Sequence, residues 1–172
     1  MTATISIGDE APDFDLSSTE GVLLMLRDEV PRTSVLLYVF EDPASERVRA
    51  DLKTLAEARS TLAEIHVKIL GLAPAKMTQL MELQVDLGLL FPLLRDDRSF
   101  CAEYGVKAEE GQDPEPALVL VNCEQRVAWL ENPVSSVAAS MPEVLSTFKR
   151  RSSTTSNYPK SVINRLVEFW VN

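Results

Sequence analysis

The stretch Ser34-Val-Leu-Leu-Tyr-Val-Phe-Glu-Asp-Pro-Ala-Ser-Glu-Arg-Val-Arg-Ala50 decides the fold. After Ser34 its first residues form a continuous apolar run rich in β-branched and aromatic side chains, the pattern of a strand covered on both faces and therefore central in a sheet. Glu41-Asp42-Pro43 supplies an acidic turn, and a proline close to a first helical turn suits a helix start. A helix is expected over residues 44–65. Val48, Leu52, Leu55, Leu62 and Ile65 recur there at helical spacing, giving one apolar face to lay on the sheet.

Working outward, residues 66–72 (HVKILGL) read as a second apolar strand and residues 77–87 as a second helix, with Leu80, Leu83 and Leu87 on one face. Strand, helix, strand, helix implies right-handed crossovers and parallel pairing in an α/β architecture. Before the central strand, residues 14–16 and 22–26 flank the turn-forming run Ser17-Ser-Thr-Glu-Gly21 and predict a hairpin. Beyond the second helix, residues 91–95 read as a short segment and residues 99–104 as one or two helical turns. Residues 107–115 are polar, with Gly111 and Pro114, and read as a surface loop. Residues 116–122 (PALVLVN) and 126–131 (RVAWLE) form an antiparallel pair around Cys123, Glu124 and Gln125. A helix is expected over residues 136–150, its end marked by the basic triplet Lys149-Arg150-Arg151.

The fold class is thus α/β: an N-terminal hairpin, a central mixed sheet flanked by helices, and an added C-terminal helix. Residues 1–151 are assigned to the main domain, 152–157 (SSTTSN) to a linker, and 158–172 to the appended helix. In that last stretch Ile163, Leu166, Val167 and Trp170 stand at i, i+3, i+4 and i+7, an apolar stripe suited to binding a partner.

Composition narrows the function. A net charge of -9 opposes binding to a phosphate backbone, so nucleic acid is not expected. Cys101 and Cys123 lack CxxC spacing and the chain has one histidine, so neither a metal nor a cofactor is expected. The first 14 residues have neither a basic nor an apolar leader segment and no stretch reads as membrane-spanning, so the expected address is the cytoplasm. His66 has no acid or nucleophile at a triad-like spacing. Arg47 and Arg49 near the helix start read as solvated helix-face cations rather than an anion site.

Ile7-Gly-Asp-Glu-Ala-Pro-Asp-Phe14, Phe91-Pro-Leu-Leu-Arg-Asp96 and Tyr104-Gly-Val106 resemble motifs of the peroxiredoxin family of the alkyl hydroperoxide reductase and thiol-specific antioxidant type, over about residues 5–150. The resemblance implies a thioredoxin-like fold and a peroxide-reducing cysteine in the first turn of the helix after the central strand, in a P-x-x-x-T/S-x-x-C motif. A helix N-terminus favours thiolate over thiol, and the thiolate is the nucleophile. With Pro43 as the motif proline, the hydroxyl position falls on Arg47 and the cysteine position on Ala50; with Ser45 as the hydroxyl residue, the cysteine position falls on Val48. Neither is a thiol, and the chain has no cysteine before Cys101. The arginine that such enzymes carry before the late strand is replaced by Pro116, reminiscent also of the cis-proline of thioredoxins. The expectation is a binding, scaffolding or regulatory subunit with a pocket surviving at the old site, in a homodimer or with a protein partner. The alternative is a thiol-dependent peroxidase using Cys101 or Cys123 with an external thiol reductant. Core packing is the expected role of Cys101, and an inert loop thiol that of Cys123.

Overall fold

The computed structural model describes residues 5–106 and 115–155. Strand β1 (Asp15–Ser17) pairs antiparallel with β2 (Leu23–Met25), and a short helix α1 (Leu26–Glu29) follows directly. The central strand β3 (Ser34–Val39) leads into helix α2 (Glu46–Glu64), strand β4 (Val67–Ala73), helix α3 (Met77–Leu87), strand β5 (Leu93–Arg95) and helix α4 (Ser99–Glu103). The chain closes on strands β6 (Ala117–Val121) and β7 (Val127–Glu131) and helix α5 (Val137–Thr155). The five-stranded sheet has the order β5-β4-β3-β6-β7, with β3, β4 and β5 parallel and β6 antiparallel to β3.

Every residue of β3 is buried, as its unbroken apolar run requires. Because side chains alternate along a strand, Leu36, Tyr38 and Phe40 join the core under α2, α3 and α5, whereas Val35, Leu37 and Val39 join a second core under the hairpin, α1 and α4. The motifs that carried the family resemblance are clamps of that second core. Tyr104 donates its hydroxyl hydrogen to the Pro12 carbonyl at 2.7 Å, Phe14 and Phe100 meet edge to face, and buried Asp96 accepts the Cys101 N–H at 2.8 Å to cap α4.

Several boundaries differ from expectation for identifiable reasons. α2 begins at Glu46 with Ser45 as N-cap, because Asp42 takes the Ala44 N–H on its side chain (2.8 Å) and the Ser45 N–H on its carbonyl (3.3 Å), holding Pro43 and Ala44 in a turn. His66 lies outside β4 with φ of 55°, in the left-handed turn that ends α2. Residues 91–95 supply the parallel edge strand β5, which is too short for a periodic signal. α5 continues to Thr155, so residues 152–155 are helical and Lys149-Arg150-Arg151 stand inside the helix rather than at its end. Once Val137, Met141, Val144 and Leu145 have docked the helix, each added residue forms one backbone hydrogen bond, which outweighs the modest cost of serine and threonine. Residues 107–114, the expected loop, and the stretch 156–172 with Ile163, Leu166, Val167 and Trp170 lie outside the described residues.

Candidate functional site

The sheet delivers α2 beyond the C-terminal end of β3, and the loop before β6 and the turn after β7 reach the same end. Ser45, extended at φ -60° and ψ 127°, caps the helix with its hydroxyl oxygen facing the Val48 N–H at 3.5 Å. Val48, third residue of the helix, points inward and is 4% exposed; Ala50, two residues on, points to solvent. Pro43 stands two residues before the cap.

Arg47 is not a solvated helix-face cation. Its guanidinium donates to the Val134 carbonyl and to the Ser135 carbonyl (3.1 Å), and lies 3.6 Å from the Glu115 carboxylate. The Val134 N–H in turn donates to the carbonyl of buried Pro116 at 2.9 Å. Two carbonyls and a carboxylate already claim this cation, so it is not available for an anion, and its buried Nε has no hydrogen-bond partner among the described residues. Arg49 is likewise paired, with Asp86 at 3.4 Å. The peptide bond before Pro116 is trans; the cis bond among the described residues joins Asn132 to Pro133.

Beneath the first turn lies a residue that the sequence reading passed over. Asp51, 5% exposed, accepts the Tyr38 hydroxyl at 2.8 Å and the Val137 N–H at 3.1 Å, so one carboxylate ties the central strand and α2 to the start of α5. Burial first, then the Asp51 charge, pushes the Tyr38 hydroxyl far above its ordinary range, which keeps it a donor. The available signal was a carboxylate three residues after Val48 on the face otherwise filled by apolar residues.

The two cysteines sit apart from this turn. Cys101 is 3% exposed in the second core, where burial first and Asp96 second push its thiol far up, so it stays protonated and un-nucleophilic at neutral pH. Cys123 is exposed on the β6–β7 turn, its Sγ 3.9 Å from Ser34 Oγ. Since Val35 pairs with Val121, that turn lies at the opposite end of β3 from α2, about 20 Å away at ~3.3 Å per residue. Among the described residues, no three His, Cys, Asp or Glu side chains gather as a metal site would need, and no helix is long and apolar enough to cross a membrane. A cleft of about 400 Å³ opens at the far end of α2, lined by residues including Arg59, Ala63, His66, Leu90 and Phe91.

With strand, capped turn and helix start in place, comparison with known proteins gives one answer. The model of the AhpC/TSA family matches residues 7–130. A bcp protein of Coxiella burnetii that carries a peroxiredoxin name is 26% identical over 110 residues, 63% of this chain and 72% of that one. Among solved structures, the peroxidoxin BcpB of Mycobacterium tuberculosis superposes with a TM-score of 0.77 at 17% identity, covering 88% of this chain and 99% of that one. A PrxQ variant of Xylella fastidiosa gives 0.77 at 18% identity, covering 87% and 99%. The fold is therefore the thioredoxin-like fold of peroxiredoxins, and the chain belongs to the AhpC/TSA family.

Proposed function

We propose that this protein is an AhpC/TSA-family member that does not reduce peroxides at its helix start and acts as a binding, scaffolding or regulatory subunit. The observation that carries the reading is Val48. Of the two motif alignments, the one through Ser45 has its hydroxyl residue at the N-cap and its cysteine position on an inward-facing residue in the first turn; the one through Pro43 ends on outward-facing Ala50. On the first, the nucleophile is replaced by a buried valine, and the arginine partner by Pro116, with the Arg47 guanidinium held by backbone carbonyls instead of facing a substrate. A cytoplasmic address, the division into a main domain and a tail beyond α5, and a homodimer or protein partner reached through Ile163, Leu166, Val167 and Trp170 belong to the same proposal.

The second reading, a thiol-dependent peroxidase, draws on the peroxiredoxin names of the relatives and on the exposure of Cys123. Peroxide consumption with dithiothreitol or thioredoxin separates the two. The first predicts no turnover above the protein-free rate; turnover abolished by Cys123→Ser or Cys101→Ser would overturn it. Co-purification of a stoichiometric partner with the intact chain is the positive counterpart.

A further inference from the structure

The outer edge of the sheet is only partly used. β4 pairs with β3 from Val67 to Leu72, but with β5 only at Gly71, Leu72 and Ala73. Along a strand, successive residues turn their backbone N–H and C=O to opposite sides. The Ser34 N–H donates to the His66 carbonyl and the Phe40 N–H to the Leu72 carbonyl, so even-numbered residues here face β3. The Gly71 N–H donates to the Pro92 carbonyl, so odd-numbered residues face outward. Carried two residues back, the same register would set the N–H of residue 92 against the Ile69 carbonyl. Residue 92 is proline and has no N–H to give. The ladder therefore stops at Gly71, and among the described residues no backbone group bonds Val67 or Ile69 on this outer side.

The cleft at the far end of α2 opens against this edge. Val67 and Ile69 line it together with Ala63 of α2 and with Phe91 and Pro92, and Leu90 on its lip is 71% exposed. Its charges are two cations, Arg59 and Lys68, with Glu20 as the carboxylate among the lining residues, on a chain whose net charge is -9. Lys68 is shared with Glu29 at 2.9 Å, whereas Arg59 forms no ion pair among the described residues. An unpaired strand edge beside an apolar hollow is the setting in which an extended peptide adds to a sheet, main-chain hydrogen bonds giving affinity and alternate side chains giving specificity.

We infer that the open edge of β4 takes up an extended segment of a partner protein that carries alternating apolar and acidic side chains. The segment's main chain supplies the donor and acceptor that β5 withholds from Val67 and Ile69. Its apolar side chains rest on Ala63, Phe91 and Leu90, and a carboxylate reaches Arg59. A small anion is disfavoured, since it would satisfy Arg59 and leave the backbone groups of the edge unmatched. A second copy of this chain is disfavoured by charge, because pairing two such edges brings Arg59 and Lys68 of each copy against those of the other. The surface lies at the opposite end of α2 from Ser45 and Val48, so it stands whether or not the protein reduces peroxides.

Amide hydrogen exchange followed by NMR on the full chain reads the edge directly, with an acetylated heptapeptide of alternating valine and glutamate as the probe. In the free protein the Val67 and Ile69 amides are expected to exchange faster than those of Lys68 and Leu70, which β3 holds. Probe at about ten times its dissociation constant should slow Val67 and Ile69 about tenfold and leave Lys68 and Leu70 unchanged. Arg59→Glu, a substitution at an exposed position, should weaken the probe about fivefold. N-methylation of one alternate set of the peptide's amides should abolish binding, and of the other set should be tolerated. The inference is overturned if the probe leaves both outward amides unchanged, if the two methylated peptides bind alike, or if free glutarate produces the same slowing, which would make this an anion site. Outward amides already slow in the free protein would also overturn it: slow at every protein concentration, the chain covers its own edge; slow only at high concentration, a second copy does.

Discussion

Asp51 is the residue on which three elements depend. Replacing it with alanine leaves the Tyr38 hydroxyl and the Val137 N–H without acceptors in a dry interior, and each such loss costs about 1–3 kcal/mol. Asp51→Ala is expected to lower unfolding stability by about 2–5 kcal/mol, whereas Asp51→Asn, which keeps one carbonyl acceptor, costs less; urea unfolding of the two variants gives the comparison. Cys101 makes a prediction in pH. Its folded thiol titrates far above the unfolded value of about 8.5, so the stability it confers is full below that value and declines as pH rises past it. The slope is up to about 1.4 kcal/mol per pH unit for one proton. Cys101→Ala should flatten the stability profile between pH 8.5 and 9.5; an unchanged slope would mean that the thiol ionises in place. Gly71, in the middle of β4, faces the Leu93 side chain where a Cβ would stand, and Leu93 is fully buried. Gly71→Ala should therefore destabilise by about 1–3 kcal/mol, read in the same titration.

At the scale of elements, the start of α2 distinguishes the two motif alignments chemically. A thiol at Val48 lies in the first turn, close to the positive end of the helix; one at Ala50 lies beyond it on the solvent side. Because the burial that raises the Cys101 thiol also acts at Val48 and opposes the helix-end effect, Val48→Cys is expected to be alkylated by iodoacetamide more slowly than Ala50→Cys at neutral pH; a faster reaction at Val48→Cys would show that the helix end outweighs burial there. The central strand, its helix and the β6–β7 pair were legible in the sequence because each carries a strong period or an unbroken apolar run. β5 and α1 were not, being three and four residues long and formed by docking onto neighbours. The end of α5 was misplaced because composition speaks for a linker while helix propagation depends on packing a dozen residues upstream. Motif spacing singled out Ser45, Arg47 and Val48 as positions at the start of α2. The latch from Arg47 to Val134 and Ser135 was invisible, since it joins residues 87 and 88 positions apart through backbone atoms that leave no mark in composition.

For the whole molecule, the two ends of the sheet differ in make-up. One end holds the capped helix start with its buried valine; the other holds the cleft lined by Arg59, Ala63 and Phe91. Sedimentation velocity across a range of concentrations tests assembly. The proposed homodimer predicts an approach to twice the monomer mass as concentration rises, and a constant monomer would leave a heterologous protein as the partner. Cutting the chain after Thr155 should leave the Asp51 network intact, so far-UV circular dichroism of the described elements should persist.

The order β5-β4-β3-β6-β7 also constrains the timing of synthesis. Strand β3 can acquire β4 on one edge soon after both have been made, yet its other edge must wait for β6, whose first residue, Ala117, follows Val39 by 78 positions (117 − 39). At a translation rate of about 5–20 residues per second, this fully buried central strand spends roughly 4–16 seconds with an open edge on the ribosome. That interval, rather than the finished fold, is when this chain is most exposed to pairing with a neighbour and when a chaperone has something to hold.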